Sequence, residues 1–347
     1  MPPIRPRISD VARHAGVSEA TVSVVLNNVV GERVRVSEAT QQKVWAAVRE
    51  LGYVANPVAQ RLAGGHNRIV AVFTFESIFP IDSSSFYYPF LIGIEEEADR
   101  LGYDLLLVTG SAQGSKRRIY QHGVNRLLRA DGAILLGHGD RSEVDQLVRD
   151  GYRFVYIGRR ESSTESLSYV AADYASASED LVHRVIGLGH RNIVYVRSIR
   201  TTEASRDRER GVHQGLERAG VLLRDGWMWR GVPEGIMPDT VQAWIDDGVT
   251  ALIAEDDMLG LRIMQCADSL GLSCPADYSL AVLGNPLNPT QEIPDWMTFG
   301  IPRREMGQLA FRMLQEWLNG DESQIRLPLR ATLSCTPVPG QTVRDLR

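Results

Sequence analysis

Lysine is all but missing from this chain: of 38 basic residues only Lys43 and Lys116 are lysine. We read this as biased codon usage rather than as a feature tied to a partner. Cysteine is scarce too, and the three present, Cys266, Cys274 and Cys335, are odd in number and show no CxxC spacing. That argues against a disulfide framework and against a zinc site, and predicts reduced thiols. No apolar run approaches the roughly 18 residues a membrane helix needs. The opening residues, MPPIRPRISD, carry arginines with no apolar segment behind them, so neither a signal peptide nor an anchor is expected and the cytoplasm is the predicted location. Catalytic signatures are absent as well: there is no GxSxG, GxxxxGK[ST] or HExxH. Gly137-His138-Gly139 follows an apolar run, but Ser142 stands where a dinucleotide fingerprint needs its third glycine, and a turn is the better reading. His138 and His183 are isolated and read as surface or capping residues, not metal ligands. No enzyme activity, cofactor or metal is expected.

What the chain does have is a patterned amino-terminal stretch. Apolar residues at Ile8, Val11, Ala12 and Ala15 follow the spacing of one buried helical face, and Gly16 stops the run. Ser18 then stands where a hydroxyl caps a second helix, with Glu19 in the first turn, favoured by the helix dipole. Val22, Val25 and Leu26 form that helix's inner stripe. Two short helices around a glycine-containing turn are the helix-turn-helix motif, whose second helix enters the DNA major groove. The face left outside carries Glu19, Ala20, Thr21, Ser23, Val24 and Asn27. A third helix, capped by Ser37 and closed by Gly52, offers Val44, Ala47, Val48 and Leu51 to the same small core. Next comes NPVAQRLAGG: Asn56 is a good N-cap, Pro57 suits the first helical position and Gly64-Gly65 end the segment. A helix of about two turns is unstable alone in water, so it is expected to form only against a partner. Charge follows the same division. Residues 1–65 sum to +3 and the remainder to −8, against −5 overall, which keeps phosphate attraction local to the head. Between the second and third helices, VVGERVRV with Arg33 and Arg35 reads as a solvated loop.

These residues, ISDVARHAGVSEATVSVVLN, then VSEAT with VRELGY, then NPVAQRLAGG, resemble the lactose and galactose repressor family of bacterial transcription regulators, and the likeness runs over nearly the whole chain. The resemblance implies a hinge helix over Asn56 to Ala63 that folds on operator DNA, with Asn56, Ala59 and Leu62 at the DNA and Leu62 at the position of the minor-groove wedge. It also implies the fold: a small all-α helix-turn-helix head over residues 1–55, a hinge and linker over 56–67, and an α/β body of the two-lobed periplasmic-binding-protein type I class over 68–347.

From Arg68 the residues themselves point to that α/β pattern. IVAVFTF (69–75), DLLLVT (104–109), AILL (133–136) and FVYI (154–157) are short apolar runs of the buried-strand type, followed by NIVYV (192–196), ALIA (251–254) and SLAVL (279–283). Helical patterns lie between them near 90–101, 174–188, 204–219 and 257–270. Two such sets predict two lobes, and the carboxyl ends of parallel strands are where sheets of this kind bind small molecules. By resemblance, Arg208 in RDRERG matches the arginine of the family's R-x-x-G that forks onto ligand oxygens, and Arg159 falls at a pocket position. Phe75, Tyr87 and Tyr88 follow the first strand, where the family often stacks an aromatic on its ligand, although core packing would explain them equally. The pattern also departs from the family. Glu255 precedes Asp256 where asparagine is usual, and Gly284-Asn285 replaces a pair of aspartates, so one expected acceptor for sugar hydroxyls is missing. Glu255, Asp256 and Asn285 remain candidate pocket residues.

The reading is therefore a homodimeric, sequence-specific regulator, a repressor, that binds double-stranded operator DNA under control of a small sugar-like effector held between two lobes. No membrane partner is expected. VPGQTVRDLR after Pro337 has no apolar heptads, so the expected assembly is a dimer rather than a tetramer. The competing reading is a solute-binding or sugar-active protein with the same two-lobed body.

Overall fold

The computed structural model describes residues 6–26, 36–53, 67–76, 86–109, 117–161, 167–284, 294–321 and 326–347. Five of the candidate site residues, Asn27, Asn56, Ala59, Leu62 and Asn285, lie outside these, as do the 29–35 loop and the segment read as a hinge helix. The chain divides into two compact units, Met1–Ile69 and Val70–Arg347, each taken by itself below.

In the first unit, α1 (Ile8–Ala15) ends at Gly16 with φ 66°, a left-handed cap that costs glycine nothing. Helix α2 (Glu19–Leu26) and α3 (Glu38–Leu51) follow. Their core is Val11, Ala12, Val22, Val25, Val44 and Ala47, with Ile8, Ala15, Leu26, Val48 and Leu51 packed around it. These are the residues the periodicity singled out. His14 on α1 reaches Glu50 on α3 at 2.7 Å, closing the outer edge of the bundle.

The second unit begins with β1 (Ile69–Thr74), α4 (Tyr88–Leu101) and β2 (Asp104–Val108). A small hairpin follows, β3 (Tyr120–Gln121) with β4 (Val124–Asn125), then β5 (Gly132–Leu136), α5 (Arg141–Arg149), β6 (Phe154–Ile157), β7 (Tyr169–Ala172) and α6 (Tyr174–Gly187). Next come β8 (Ile193–Ser198), α7 (Glu203–Arg218), β9 (Met228–Gly231), α8 (Pro238–Asp246), β10 (Ala251–Ala254), α9 (Asp257–Ser269) and β11 (Ser279–Val282). The chain ends with β12 (Thr298–Gly300), α10 (Arg303–Asn319), β13 (Arg330–Leu333) and β14 (Thr336–Val338). Among the described residues the two larger sheets have the orders β13-β7-β6-β5-β1-β2 and β11-β10-β8-β9. The first belongs to an N-lobe and the second to a C-lobe. Neighbouring strands from β13 to β1, and all four of the second sheet, run parallel.

Helices cover both faces of these sheets, which is why β5, β6, β10 and β11 are buried at every residue and read as continuous apolar runs. After β7 the chain passes to α6 of the C-lobe, after β12 it returns as α10, and after β13 it leaves again for β14. The antiparallel ribbon β12-β14 lies in this crossing region. The carboxyl ends of β5, β6 and β7 and the starts of α6 and α7 line one crevice, and that fixes where a site forms.

Candidate functional site

In the head, the geometry that matters is the presentation of α2. Ser18 Oγ accepts from Thr21 N at 3.1 Å, the expected cap, and shares a 2.8 Å hydrogen bond with Thr21 Oγ1. Val22 and Val25 are buried, whereas Ser18, Glu19 and Ala20 are exposed and Thr21, Ser23 and Val24 half-buried. One side of the helix is thus locked into the core and the other is open, as a groove-reading helix requires. The open side carries one carboxylate and no cation.

In the body, strand ends of the N-lobe and the helices α6 and α7 of the C-lobe surround a cleft with about 570 Å³ of empty space, open solvent included. Strand β5 delivers Gly137 and His138, strand β6 delivers Gly158, Arg159 and Arg160, and the start of α6 delivers Tyr174. Phe86, Tyr87, Phe90 and Met306 close the N-lobe side, and Ala204 and Asp207 of α7 reach in from the C-lobe. Among the described residues the wall is mainly aromatic and aliphatic, with two guanidiniums and one carboxylate as its charged groups.

Those charged groups are joined across the crevice. Arg159 forks onto Asp207, Nε to Oδ2 at 3.0 Å and Nη2 to Oδ1 at 2.9 Å. Arg160 donates from Nη1 to Glu203 at 3.2 Å, and Arg141 donates to the same carboxylate at 3.1 Å. Arg206 answers from the C-lobe with a 2.8 Å pair to Glu161. Glu203 is only 4% exposed. Burial works against its charge, but backbone N–H donation from its own helix end and from Glu161, with Arg160 and Arg141 beside it, outweighs that and holds its pKa below the usual carboxylate value. Ion pairs of this burial add little net stability against an apolar alternative, yet losing one partner strands the other. Their role is to set how the lobes meet.

The candidates named from sequence divide clearly. Tyr87 and Arg159 line the cavity. Tyr87 is 6% exposed and donates its hydroxyl to Glu76, and burial together with that carboxylate pushes the phenol pKa up. Tyr88 is 60% exposed and is not part of the wall. Phe75 is core, edge-on to Phe73 at 5.0 Å and stacked with Tyr156 at 6.4 Å. A Cβ at Gly139 would lie 2.0 Å from its ring, which explains that glycine as room for Phe75. Arg208 donates Nε to Leu283 O at 2.9 Å and stacks over the Tyr174 ring at 4.0 Å, one residue behind the cavity wall. Glu255 is buried and accepts from Ser198 N at 2.9 Å, and Asp256 caps α9 by accepting from Leu259 N at 2.9 Å. Burial raises the Asp256 pKa. Both stand at the carboxyl end of β10, outside the wall itself.

Sequence reasoning missed Tyr174, Arg160 and the acceptor pair Glu203 and Asp207. The available trace was an acidic pair at i, i+4 in the first turns of a helix, with Arg159-Arg160 after a strand. All three cysteines are free thiols, Cys266 buried. Among the described residues there is no group of three or more His, Cys, Asp or Glu able to hold a metal ion, and no helix is long and apolar enough to cross a membrane.

Comparison with known proteins matches both parts of the chain. Residues 7–56 match the lacI family of bacterial regulatory proteins, and residues 182–343 match the periplasmic binding protein-like domain. The catabolite control protein A of Priestia megaterium is 29% identical over 93% of this chain and 96% of its own length. The structure is similar to that of the transcriptional regulator CelR in complex with cellobiose, at TM-score 0.62 and 25% identity over 97% of this chain and all of that one. It is also similar to the lac repressor dimer bound to operator and the anti-inducer ONPF, at TM-score 0.70 and 22% identity over 98% of this chain and all of that one.

Proposed function

Because the chain belongs to the lacI family of bacterial regulatory proteins, we propose that it is a homodimeric transcriptional repressor whose head binds double-stranded operator DNA under the control of a small molecule, a sugar or related metabolite, between its lobes. The observation that carries this is α2, capped at Ser18, anchored by Val22 and Val25, and open on the face of Glu19, Ala20, Thr21, Ser23 and Val24. Arginine, the common reader of guanine, is absent from residues 19–28. Ala20 and Val24 instead contact thymine methyls and Glu19 accepts from a cytosine amino group, while Thr21 and Ser23 hold phosphates. Asn27 completes this surface, and Asn56, Ala59 and Leu62 supply the minor-groove contact of the hinge.

The effector acts by favouring one closure of the lobes, which needs a coupling of about 1 to 3 kcal/mol between the two sites. Tyr87 and Arg159 touch it directly, and Arg208, Glu255, Asp256 and Asn285 line the C-lobe approach. A groove lined by Pro233, Met258 and Leu261 together with Glu234, Arg262 and Gln265, with Met258 55% exposed, supports pairing of two copies through the C-lobe. The protein acts by binding, without turnover. It works in the cytoplasm, beside its DNA and where its three free thiols stay reduced.

The test is selection of duplexes from random DNA, followed by replacement of each half-site thymine by uracil, which removes only the methyl group. Loss of affinity on replacement is expected. Selection of an invariant guanine read by α2, or full affinity with uracil, overturns the assignment of contacts. Retention of no duplex at moderate salt returns the chain to the solute-binding reading.

A further inference from the structure

The wall of the interlobe cavity has an unusual balance of donors and acceptors. Among the described wall residues the one carboxylate, Asp207, already takes three donors: Oδ1 takes Arg159 Nη2 at 2.9 Å and Arg210 Nη2 at 2.8 Å, and Oδ2 takes Arg159 Nε at 3.0 Å. The carbonyl of Gly137 accepts from both Arg160 Nη2, at 2.7 Å, and the Tyr156 hydroxyl. The carbonyl of Arg159 accepts from Arg160 Nη1 at 3.0 Å, and the Tyr87 hydroxyl proton is given to Glu76. On the donor side, Arg159 Nη1 has as its nearest carboxylate among the described residues Glu161, at 3.6 Å, beyond hydrogen-bond reach. The guanidinium of Arg208 lies 4.0 Å over the outer ring, Tyr174. Among the described residues two cations and one anion line the cavity, and behind them stand the cation Arg208 and the carboxylates Glu203, bound to Arg160, and Glu76, bound to Tyr87.

A neutral polyhydroxylated ligand needs acceptors as much as donors, because each buried hydroxyl left without an acceptor is penalised by about 1 to 3 kcal/mol. This wall offers Arg159 Nη1 as a donor and a large aromatic and aliphatic surface. We propose that the preferred ligand is a one- or two-ring compound carrying a carboxylate, its ring packed among Phe86, Phe90, Tyr174 and Met306 and its carboxylate held by Arg159. The class rests on the reading of this crevice as the effector site. A ligand carboxylate at Arg159 competes with Asp207 for the guanidinium, so its binding reports directly on the bridge between the lobes.

The test is isothermal titration of the full chain with benzoate and 2-naphthoate, their neutral amides benzamide and 2-naphthamide, and cellobiose and glucose. At least one acid is expected to bind ten-fold or more tightly than its amide, and both sugars more weakly than that acid. In Arg159→Gln the acid-to-amide ratio falls toward one while amide affinity is kept. Should that variant fail to fold, the ratio in the unaltered protein still decides. Equal binding of acid and amide, tighter binding of either sugar, or no acid bound at millimolar concentration overturns the proposal. Operator release is measured in parallel with the selected duplex. Release by a sugar alone refutes the ligand class and leaves the effector reading intact, whereas acid binding that leaves operator affinity unchanged refutes the effector reading and leaves the class standing.

Discussion

The N-lobe and the C-lobe solve the same packing problem in the same way and then present different charges, mainly arginine on one side and carboxylate on the other, with the pair Glu161–Arg206 reversed. In each, a pair of helices lies against a parallel sheet and crosses so closely that only glycine fits. A Cβ at Gly93 of α4 would stand 2.0 Å from Arg304 O on α10, and one at Gly211 of α7 would stand 2.1 Å from Ala175 O on α6. On the opposing helix α10, Gly307 is nearly as tight, 2.3 Å from Phe90 O, and a second glycine of α7, Gly215, would place its Cβ 2.8 Å from Val182 Cβ on α6. At the strand ends the likeness stops. The N-lobe offers Arg141, Arg159 and Arg160, and the C-lobe answers with Glu203 and Asp207. The comparison separates two jobs: apolar and glycine contacts make each lobe, while arginine and carboxylate decide how the lobes meet.

The strongest way to break the likeness is to add a methyl group at each crossing. Gly93→Ala and Gly211→Ala each place a carbon inside a backbone carbonyl, and the expected loss is about 3 kcal/mol, the upper end for overpacking. Urea unfolding measures both, and a loss below about 1 kcal/mol at either site would show that its helix pair shifts apart freely. Attacking the charge difference has a smaller effect on stability. Glu203→Gln keeps the shape but removes the charge received by Arg141, Arg160 and the Glu161 amide, at an expected cost of about 2 kcal/mol. Asp207→Asn, facing the partly exposed Arg159, is expected to cost about 1 kcal/mol. Both variants should increase the radius of gyration in small-angle scattering without changing the melting cooperativity of either lobe. An unchanged radius in both would mean that the bridges follow closure rather than set it.

How much of this was readable in advance depended on burial and on sequence separation. The strands buried on both faces were legible almost to the residue: ALIA and FVYI were placed as β10 and β6 occur, and AILL lacked only Gly132. Strands β9 and β13, in which exposed and half-buried residues alternate, show no such run and went unseen. Helix α10 was overlooked even though Met306, Ala310, Phe311, Leu314 and Leu318 keep helical spacing. In the head, Ser18, Ser37, Gly16 and Gly52 announced the helix ends, because capping is local chemistry. The cleft was harder. Arg159 and Tyr87 were found, but Asp207 lies 48 positions from Arg159 and Glu203 lies 43 from Arg160, and nothing local marks an acid as the partner of a distant arginine. Phe75 illustrates the converse, since an aromatic after a strand looks alike whether it meets a ligand or, as here, a neighbouring Gly139.

Acidity sharpens the comparison further, with the smallest effect. His190 of the C-lobe is fully buried, its Nδ1 2.9 Å from Thr250 Oγ1 and its Nε2 3.0 Å from Arg344 O. The neutral ring satisfies both contacts, with Nε2 donating to the carbonyl and Nδ1 accepting from the hydroxyl. Burial lowers its pKa from 6.5, against the raising effect of the Arg344 carbonyl and of Asp345, with the Arg344 charge lowering it as well. The unfolded chain therefore takes up a proton at His190 before the folded chain does. Its contribution is complete above about pH 6.5 and is lost as the pH falls below that value. The N-lobe counterpart behaves differently. His138 beside Glu76 and the Tyr87 hydroxyl, outweighing burial, hold that carboxyl at about 2, so its contribution persists to below pH 4.5 and is lost as the pH falls toward 2. Hydrogen exchange between pH 7.5 and 5.5 should thus show β10 and β11 losing protection relative to β1 and β5, with the difference removed in His190→Gln. Parallel profiles for the variant and the unaltered protein over that range would mean that His190 is as readily protonated folded as unfolded, and that the lobes do not differ in this respect.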